Sequence, residues 1–401
     1  MNYDKCFSMK NKNIIYFDNA ATTYKPDEVI DAMDDYYKNY SSNANRGDYN
    51  ISFKVNDIID ETRELVSKFI HARSKDEIVF TYGTTDSLNM IVNGFFEYYL
   101  NFGDEIILSK SEHASNILPW MVLAEKKKLK IKYVPLDENN KITIENVIKT
   151  ITEKTKVISL ASITNTIGDV RDIEKISSYA HNNGIYVVVD ASQSVGHIKT
   201  DVLKMDADFL AFSAHKMYGP MGLGVLYGKY ELLKKMMPVR FGGGMNKDFS
   251  EDSISLLPIP YRFEAGTQNI SAIIGFKSAI SFINKIGIDN IKRHEDYLKD
   301  YLLRKLNQIE HVKIYNNGSE ANIVLINVNN ILSGDLGLYL NSKNICVRSG
   351  KHCVKMLHEE KNIEDTVRIS LSFYNSYEEI DELIKVLSNY EEILSFVKQQ
   401  L

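Results

Sequence analysis

The chain has 401 residues, of which 44% are hydrophobic and 25% charged, a balance typical of a folded globular protein rather than a disordered or fibrous one. Its 48 lysines and arginines against 53 aspartates and glutamates give a formal net charge of −5. A general nucleic-acid-binding protein is therefore disfavoured, because its affinity would come from an excess of basic side chains. A chain of this length usually divides its core, so we expect one large and one smaller domain.

Three cysteines, Cys6, Cys346 and Cys353, are widely spaced and odd in number. This spacing excludes a disulfide framework, and the absence of a C-x-x-C pair offers no zinc site. No apolar run is long enough to cross a bilayer, and the first residues lack the apolar core of a signal peptide. We therefore expect a cytoplasmic protein without membrane contact, whose important cysteine is a free thiol.

The first two thirds of the chain alternate short β-branched runs with amphipathic stretches. Residues 185–189 are apolar throughout, as in a strand whose two faces are both covered in a parallel sheet. Amphipathic stretches at residues 87–99 and 173–182 predict helices between strands, so the alternation predicts an α/β fold with a mostly parallel central sheet. The predicted strands are residues 77–81, 105–109, 156–161, 185–189, 209–212 and 224–227.

After residue 266 the pattern changes to long helices followed by shorter strands. We therefore predict a large domain of residues 15–275, and a smaller α+β domain of residues 276–401 together with residues 1–14. The predicted elements around and beyond this boundary are a loop or hairpin at 242–260, helices at 270–286 and 287–306, strands at 323–327 and 367–371, and a closing helix from Tyr377.

Polar side chains follow five of the predicted strands. In an open parallel sheet the carboxyl ends of the strands meet at one edge, and ligands bind there. These side chains should therefore converge. They are Gly83, Thr84 and Thr85 after the first strand, Glu112 and His113 after the second, Thr164 and Asn165 after the third, Asp190 and Gln193 after the fourth, and Ser213, His215 and Lys216 after the fifth.

The first and last of these groups predict a phosphate site. Gly83, Thr84 and Thr85 at a helix start can bind a phosphate through N–H groups, hydroxyls and the helix dipole. Ser213 and His215 can add further donors. Taken alone, a Thr-Thr pair at a helix start is often only an N-cap.

The remaining groups suit the ring of pyridoxal phosphate. Asp190 can keep a pyridine nitrogen protonated while Lys216 forms a Schiff base, so that the pyridinium acts as an electron sink. His113 can stack on the ring face, and Gln193 can reach the ring hydroxyl. Each residue alone has an ordinary structural explanation, but the order and spacing of all five groups favour the cofactor.

Nucleotide and metal sites fit the sequence poorly. There is no G-x-x-x-x-G-K-[ST] motif, and the segment from Gly222 to Gly228 contains a strand where a dinucleotide fingerprint needs a helix start. His294-Glu295 and His358-Glu359 lack the second histidine of H-E-x-x-H. No metal site is predicted.

The segment from Arg348 to Cys353 is a second candidate for a catalytic site. Arg348, Lys351 and His352 precede Cys353, and nearby cations favour the thiolate that acts as a nucleophile. The ordinary alternative is a small buried cysteine. Arg368 lies within a strand pattern, where a guanidinium is either paired on the exposed face or available to a substrate carboxylate.

The sequence resembles the cysteine desulfurases of the class V aminotransferase family, and within them the Suf-type (group II) branch. The similarity extends over nearly the whole chain. The motifs that carry it are Tyr16-Phe-Asp-Asn-Ala-Ala-Thr22, Thr81-Tyr-Gly-Thr-Thr85, Glu112-His113, Val189-Asp-Ala-Ser-Gln193, Ser213-Ala-His-Lys-Met-Tyr-Gly-Pro220, Phe263-Glu-Ala-Gly-Thr267 and Arg348-Ser-Gly-Lys-His-Cys353.

This resemblance implies a fold-type I pyridoxal-phosphate enzyme that works as a homodimer. By motif position, Lys216 matches the Schiff-base lysine, and Cys353 matches the cysteine that receives sulfur as a persulfide. The other implied roles are Asp190 at the pyridinium, Gln193 at the ring hydroxyl, His113 stacked on the ring, Thr84, Thr85, Ser213 and His215 at the phosphate, Thr267 reaching the phosphate from the other subunit, and Asn165, Arg348 and Arg368 around the substrate.

The implied reaction converts L-cysteine to L-alanine. Lys216 would take the Cα proton and the Cys353 thiolate would attack the substrate sulfur. The sulfur would then pass to a small acceptor protein or an iron–sulfur assembly scaffold.

Several positions depart from the family pattern. Lys351 stands where a histidine is usual, Tyr82 where an arginine is frequent and Gln268 where a proline is frequent. The Arg46-Gly47 pair lacks its flanking histidines, and no proline follows Cys353 before Leu357. These departures bear on partner choice, turnover and substrate preference.

Two other functions remain open at the level of sequence. Another pyridoxal-phosphate enzyme on the same scaffold, such as a selenocysteine lyase, a C–S lyase or an aminotransferase, would keep most of the motifs. A non-catalytic regulator or scaffold would keep the fold, but it would have no chemical need for Lys216, Asp190 and Cys353 together.

Overall fold

The structure is a computed structural model that describes residues 3–44 and 47–400. It confirms the predicted α/β fold, with a mostly parallel sheet followed along the chain by a smaller antiparallel sheet. Asn45 and Arg46, where the sequence departs from the family pattern around its Arg-Gly pair, lie outside the described residues.

The strands include all eight predicted apolar runs, to within one residue at each end, together with several short strands that were not predicted. In chain order they are β1 Ile15–Tyr16, β2 Ile78–Thr81, β3 Glu105–Leu108, β4 Lys130–Tyr133, β5 Thr155–Ala161, β6 Tyr186–Asp190, β7 Phe209–Ser213, β8 Gly224–Gly228, β9 Asn246–Phe249, β10 Ile254–Leu256, β11 Val312–Ile314, β12 Ile323–Val328, β13 Ile345–Cys346, β14 Arg348–Gly350 and β15 Thr366–Ser370.

The helices include all those predicted from amphipathic patterns, at residues 87–99, 173–182, 270–286, 287–306 and from Tyr377, together with several that were not predicted. They are α1 Asp27–Asn39, α2 Asn50–Phe69, α3 Thr84–Ile91, α4 Glu97–Tyr99, α5 Leu118–Lys127, α6 Ile144–Thr150, α7 Ile173–Asn182, α8 Val202–Met205, α9 Tyr230–Lys235, α10 Ile270–Ile286, α11 Ile288–Leu306, α12 Ser333–Ser342, α13 Lys355–Glu360, α14 Tyr377–Ser388 and α15 Tyr390–Gln400. A π-helical segment, Val92–Phe96, joins α3 to α4, so the helix predicted at 87–99 begins three residues earlier and is interrupted.

The central sheet has the strand order β2-β8-β7-β6-β5-β3-β4. Only β8 runs antiparallel to its neighbours β2 and β7 in this sheet, and the remaining pairs are parallel. Val187, Val188 and Val189 of β6 are buried, as the continuous apolar run predicted. The edge strand β4 was not predicted, because Lys130 and Lys132 give it the polarity of a loop. This topology brings the carboxyl ends of β2, β3, β5, β6 and β7 to one edge.

The second sheet is antiparallel, with the order β11-β12-β15-β14. Its core includes Leu298 and Leu302 of α11 and Ile380 of α14. The short strand β1 pairs in parallel with β13, and Phe17 packs in this second core.

The predicted domain boundary at residue 275 stays a prediction, because α10 crosses it. Buried residues of α10 on both sides of the boundary, such as Ile273 and Ile283, belong to the core that also contains Val29 of α1 and Val55 of α2. Within the described chain no single helix is long and apolar enough to cross a membrane, and α10 with α11, bent by 75°, meets that test only as a pair.

A buried ion pair ties α2 to the chain segment before α10. Arg63 donates from both terminal nitrogens to the two oxygens of Glu264, at 2.7 and 2.8 Å. The same carboxylate accepts the Phe80 N–H at 2.7 Å, and Arg63 also donates to the Ile78 carbonyl at 2.8 Å. Both side chains are buried, so each charge depends on the other for compensation.

We predict that Glu264→Gln lowers the free energy of unfolding by about 3–5 kcal/mol, because it leaves the Arg63 cation buried without a countercharge. Chemical denaturation of the cofactor-free chain measures this change. The matched control is Glu382→Gln, which removes one partner of the exposed Lys385 pair and should cost about 1 kcal/mol or less. Equal effects of the two substitutions would contradict the assigned importance of the buried pair.

Candidate active site

A cavity of about 250 Å³ lies between the carboxyl edge of the central sheet and the second sheet. The residues predicted to bind cofactor or substrate line it, except Gly83 and Thr267, and Glu112, which also follows a predicted strand, does not line it. The predicted residues in its wall are Thr84, Thr85, His113, Asn165, Asp190, Gln193, Ser213, His215, Lys216, Arg348, Cys353 and Arg368; Ala20, Ala21, Ser115, Ala161, Ile163, Thr164, Ser192 and His352 complete it.

The turn between β2 and α3 forms a cradle of hydrogen-bond donors. Gly83 has φ +146°, which a residue with a side chain rarely adopts, and a Cβ on Gly224 would come within 2.4 Å of its Cα. Ser213 Oγ accepts the Thr84 N–H at 2.8 Å, and Thr85 Oγ1 lies 2.7 Å from Ser115 Oγ. The first turn of α3 therefore presents N–H groups and hydroxyls where the helix dipole favours an anion.

Arg240 stabilises the turn between β2 and α3 from outside the cavity, and this role was not predicted from the sequence. Its guanidinium contacts both oxygens of Asp86 at 2.6 and 3.0 Å, and it lies 4.9 Å from the centroid of the Tyr82 ring. Asp86 in turn accepts the Tyr82 N–H at 2.9 Å. An arginine from a remote segment thus contacts the turn in which Tyr82 replaces the arginine that is frequent in the family.

Asp190 ends β6 with its carboxylate buried in the cavity wall. Its Oδ1 accepts the Ser192 N–H at 3.0 Å and lies 2.5 Å from Ser192 Oγ. The Gln193 amide donates to the Ala20 carbonyl at 2.9 Å, which connects the Ala20-Ala21 motif to this side of the site.

The turn that carries His215 and Lys216 is held through its backbone. The His215 carbonyl accepts the Thr23 N–H at 3.1 Å, and His197 Nε2 lies 3.3 Å from the Lys216 carbonyl oxygen. The other ring nitrogen of His197 lies 3.0 Å from Glu295. Burial opposes a charge on His197, but Glu295 outweighs it and raises the pKa of this histidine.

The pKa of Lys216 is shifted by burial and by the charged groups around it. Burial lowers the pKa of its ammonium below the usual lysine value, against the opposing effect of Asp190. Arg368 and Arg348 add to this lowering. A lowered pKa makes this amine more available than an ordinary lysine as a nucleophile or a base.

A buried charge network fixes the loops that carry His113 and Asn165. Arg171 forms an ion pair with Glu112, donates to Asp169 at 3.1 Å and donates to Ser111 Oγ at 2.7 Å. Glu112 also accepts the Ala161 N–H at 2.7 Å. The ends of β3 and β5 are thereby joined by charged hydrogen bonds.

Arg368 projects from β15 into the cavity, and Arg348 of β14 lies opposite it in register. One terminal nitrogen of Arg368 donates to Asp18 at 2.9 Å, and the other donates to the Asn165 carbonyl at 3.2 Å. The buried Nε of Arg368 has no hydrogen-bond partner among the described residues. This cationic corner is suited to a substrate carboxylate.

Cys353 lies in the loop that follows β14, with its side chain exposed at the cavity. Its carbonyl accepts the Ala114 N–H at 2.9 Å, so the loop is attached to the residue after His113. Cys6 and Cys346 are half-buried and do not line the cavity. The exposed thiol is therefore the cysteine placed to meet a ligand held at Lys216.

Thr267 is exposed and does not line the cavity of the single chain.

The Ala20-Ala21 pair and His352 line the cavity but were not predicted as site residues, although both belong to motifs that carry the family resemblance. Across the described ranges, no group of three or more His, Cys, Asp or Glu side chains is arranged to hold a metal ion.

Two cavity histidines remain neutral near pH 7. Burial, followed by the Lys216 charge, lowers the pKa of His113 to about 4 and that of His215 to about 4. His113 Nδ1 accepts the Ser115 N–H at 3.1 Å, which assigns its proton to Nε2. The buried His215 Nδ1 has no hydrogen-bond partner in the described chain.

We predict that His215 makes stability fall as the pH falls from about 6.5 toward about 4, because the unfolded chain then binds a proton that the folded site excludes. In the cofactor-free protein, His215→Gln should flatten the slope of unfolding free energy against pH over this range. His71→Gln, which removes a mostly exposed ring, is the control and should change the slope less. Parallel slopes for the wild type and His215→Gln would contradict the prediction.

The chain has extensive similarity to known proteins. Residues 15–383 match the family model described as aminotransferase class-V. A probable cysteine desulfurase of Halalkalibacterium halodurans is 39% identical over 96% of this chain and 95% of its own length. One of Ureaplasma parvum serovar 3 is 41% identical, covering 95% and 94%.

A solved structure has nearly the same fold. The apo structure of a cysteine desulfurase from Thermococcus onnurineus NA1 has a TM-score of 0.93, with 37% identity over 96% of both chains. The family match and the similarity of sequence and fold extend over the whole cavity described above. This chain belongs to the class V aminotransferase family.

Proposed function

We propose that this chain is a pyridoxal-phosphate-dependent cysteine desulfurase, which converts L-cysteine to L-alanine and keeps the sulfur on Cys353 as a persulfide. One observation carries the proposal: an exposed cysteine shares a cavity with Lys216 and the buried Asp190. The probable cysteine desulfurases that are 36–41% identical over nearly the full chain support it. The Suf-type branch stays a prediction.

The residues present fit pyridoxal phosphate. The N–H groups and hydroxyls at the start of α3, with Ser213, suit its phosphate, and the buried Nδ1 of His215 lacks a partner that a phosphate oxygen would supply. Asp190 suits a protonated ring nitrogen, and Lys216 suits the aldehyde carbon. When bound, the cofactor supplies an electron sink for the carbanion that forms at the substrate Cα.

The protein side chains supply binding and proton transfer. Arg368 orients the substrate carboxylate, with Arg348 and Asn165 beside it, and this fixes which bond at Cα faces Lys216. Lys216 accepts the Cα proton at Nζ, and burial, which lowers its pKa, makes the neutral amine more accessible than in an ordinary lysine. Neutral His113 can donate a hydrogen bond from Nε2 without adding a further positive charge to this cationic site.

Cys353 supplies the nucleophile. Its Sγ attacks the sulfur of L-cysteine, so an S–S bond forms while the substrate Cβ–S bond breaks and its electron pair remains with carbon. Protonation of that carbon, together with return of a proton from Lys216 to Cα, yields L-alanine. The thiol of Cys353 and L-cysteine together become a persulfide and L-alanine, so the step balances without an external oxidant.

The exposure of Cys353 supports delivery of the persulfide sulfur to a second protein, which we propose is a small sulfur acceptor or an iron–sulfur assembly scaffold. The cytoplasmic location expected from the sequence stays a prediction. Nucleic-acid and membrane partners form no part of the proposed reaction.

We also propose that the enzyme is a homodimer in which Thr267 of the partner subunit completes the phosphate site. Thr267 is exposed and absent from the cavity wall of its own chain. Beside Thr85, a second cavity of about 280 Å³ is lined by Leu118 and Val122, whose side chains are 56% and 65% exposed. An apolar surface next to the phosphate end supports a subunit contact there.

The cofactor-loaded protein, given L-cysteine and a reductant, should release alanine and sulfide in equal amounts. Cys353→Ala should lose both products, and Lys216→Ala should lower alanine formation by roughly 10²–10⁴-fold because the base is removed. Cys346→Ala is the control, since Cys346 does not line the cavity. Sulfide release that survives Cys353→Ala would indicate a C–S lyase, and no alanine from the wild type would contradict the proposal.

Mixed dimers test the role of Thr267. We expect Thr267→Val to weaken cofactor binding by about tenfold or more, through the loss of a hydrogen bond to a charged group. Co-expression of Thr267→Val and Lys216→Ala chains should restore activity, because one of the two sites then has both native residues. Without restoration in purified mixed dimers, Thr267 would have to act within its own chain.

A further inference from the structure

The nucleophile lies in an unusual stretch of backbone. His352 and Cys353 have φ of +51° and +61°, and Gly350 shortly before them has φ of +117°. Residues with side chains rarely adopt the left-handed region, and two in succession persist only where surrounding contacts hold them. The loop is therefore held in place by its neighbours rather than by its own conformational preference.

Main-chain hydrogen bonds hold this loop from two sides. Asn165 Nδ2 donates to the His352 carbonyl at 2.9 Å, and the Ala114 N–H donates to the Cys353 carbonyl at 2.9 Å. Within the loop, the Val354 N–H donates to the Lys351 carbonyl at 2.8 Å. The two left-handed residues are thus attached to the segments that carry the substrate corner and His113.

The His352 side chain supplies a third attachment, from the second sheet. Its ring is 3% exposed, and Nε2 lies 2.8 Å from Oγ1 of Thr366, a fully buried residue of β15. Burial, followed by the Arg368 charge, lowers the pKa of His352 to about 2, so the ring is neutral. It makes no direct contribution to the reaction steps proposed above.

We propose that His352 is a positioning residue, anchored by Thr366, that holds Cys353 in the left-handed conformation from which its thiol attacks the substrate. This inference rests on the proposed function, because it assigns the loop a preferred geometry for sulfur transfer. Thr366 adjoins Val367 and Arg368 on the same strand, so one rigid element supports both the nucleophile and the substrate corner. The loop geometry is then already formed before substrate arrives, which lowers the barrier to the sulfur-transfer step.

The critical variant is His352→Leu, which keeps apolar volume and removes the bond to Thr366. We expect the kcat for alanine formation to fall roughly 10–100-fold, because displacement of a reacting group by about 1 Å costs that much. The KM for L-cysteine should stay within about threefold, since Arg368 still binds the carboxylate. The absorbance of the bound cofactor should not change.

Amide hydrogen exchange provides a readout that does not depend on activity. In His352→Leu, exchange across residues 350–356 should accelerate about tenfold or more as the loop opens. Thr366→Val removes the same bond with nearly the same side-chain shape and should have the same effects. If His352→Leu fails to fold, Thr366→Val replaces it in the experiment. His352→Gln places an amide near the Nε2 position and should recover most of the kcat.

His358→Leu is the matched control, because it removes the neighbouring buried ring, 6.0 Å away, and leaves the bond to Thr366 in place. The inference is overturned if His352→Leu and Thr366→Val leave kcat and exchange unchanged, or if His358→Leu lowers kcat equally. A wild type that makes no alanine, with exchange still accelerated in His352→Leu, would overturn the proposed function but not the anchoring of the loop.

Discussion

The active-site cavity depends on the buried ion pairs of Arg171. This residue bonds Glu112 after β3 and Asp169 before α7, and it also donates to the Ala161 carbonyl at the end of β5. A parallel sheet aligns strand ends but does not determine how the loops beyond them are arranged. Charged hydrogen bonds in a buried setting do so, because a displaced partner would leave an uncompensated charge.

The other loops are built onto this base. His113 directly follows Glu112, and the next residue donates to the Cys353 carbonyl. Asn165 lies in the segment that Arg171 closes, and its side chain donates to the His352 carbonyl. The loop after β14 that carries Cys353 is therefore hydrogen-bonded to loops at the edge of the central sheet. Those loops are in turn held in place by Arg171.

The cavity is rich in positive charge and in unsatisfied polar atoms. Lys216, Arg348 and Arg368 line the cavity together with Asp190, and Arg368 is also paired with Asp18. Burial and the Lys216 charge lower the pKa of His113 and His215 to about 4, so both rings are neutral. Such an arrangement costs folding free energy, and a bound anionic ligand that satisfies these atoms stabilises the chain in return. The arrangement is that of a binding site rather than of a core optimised for stability.

Sequence patterns alone were sufficient for the central strands, for the residues at their carboxyl ends and for Lys216, Asp190 and Cys353 as candidates, because hydrophobic periodicity and motif spacing are local properties. Only the tertiary structure decided which distant groups meet: Arg63 with Glu264, Arg240 with Asp86, and Asn165 with the His352 carbonyl. It also decided the left-handed backbone at Cys353, which no local preference favours. The physical reason is that these partners lie more than 150 residues apart, and their hydrogen bonds form only after packing has excluded water and brought the two sheets together.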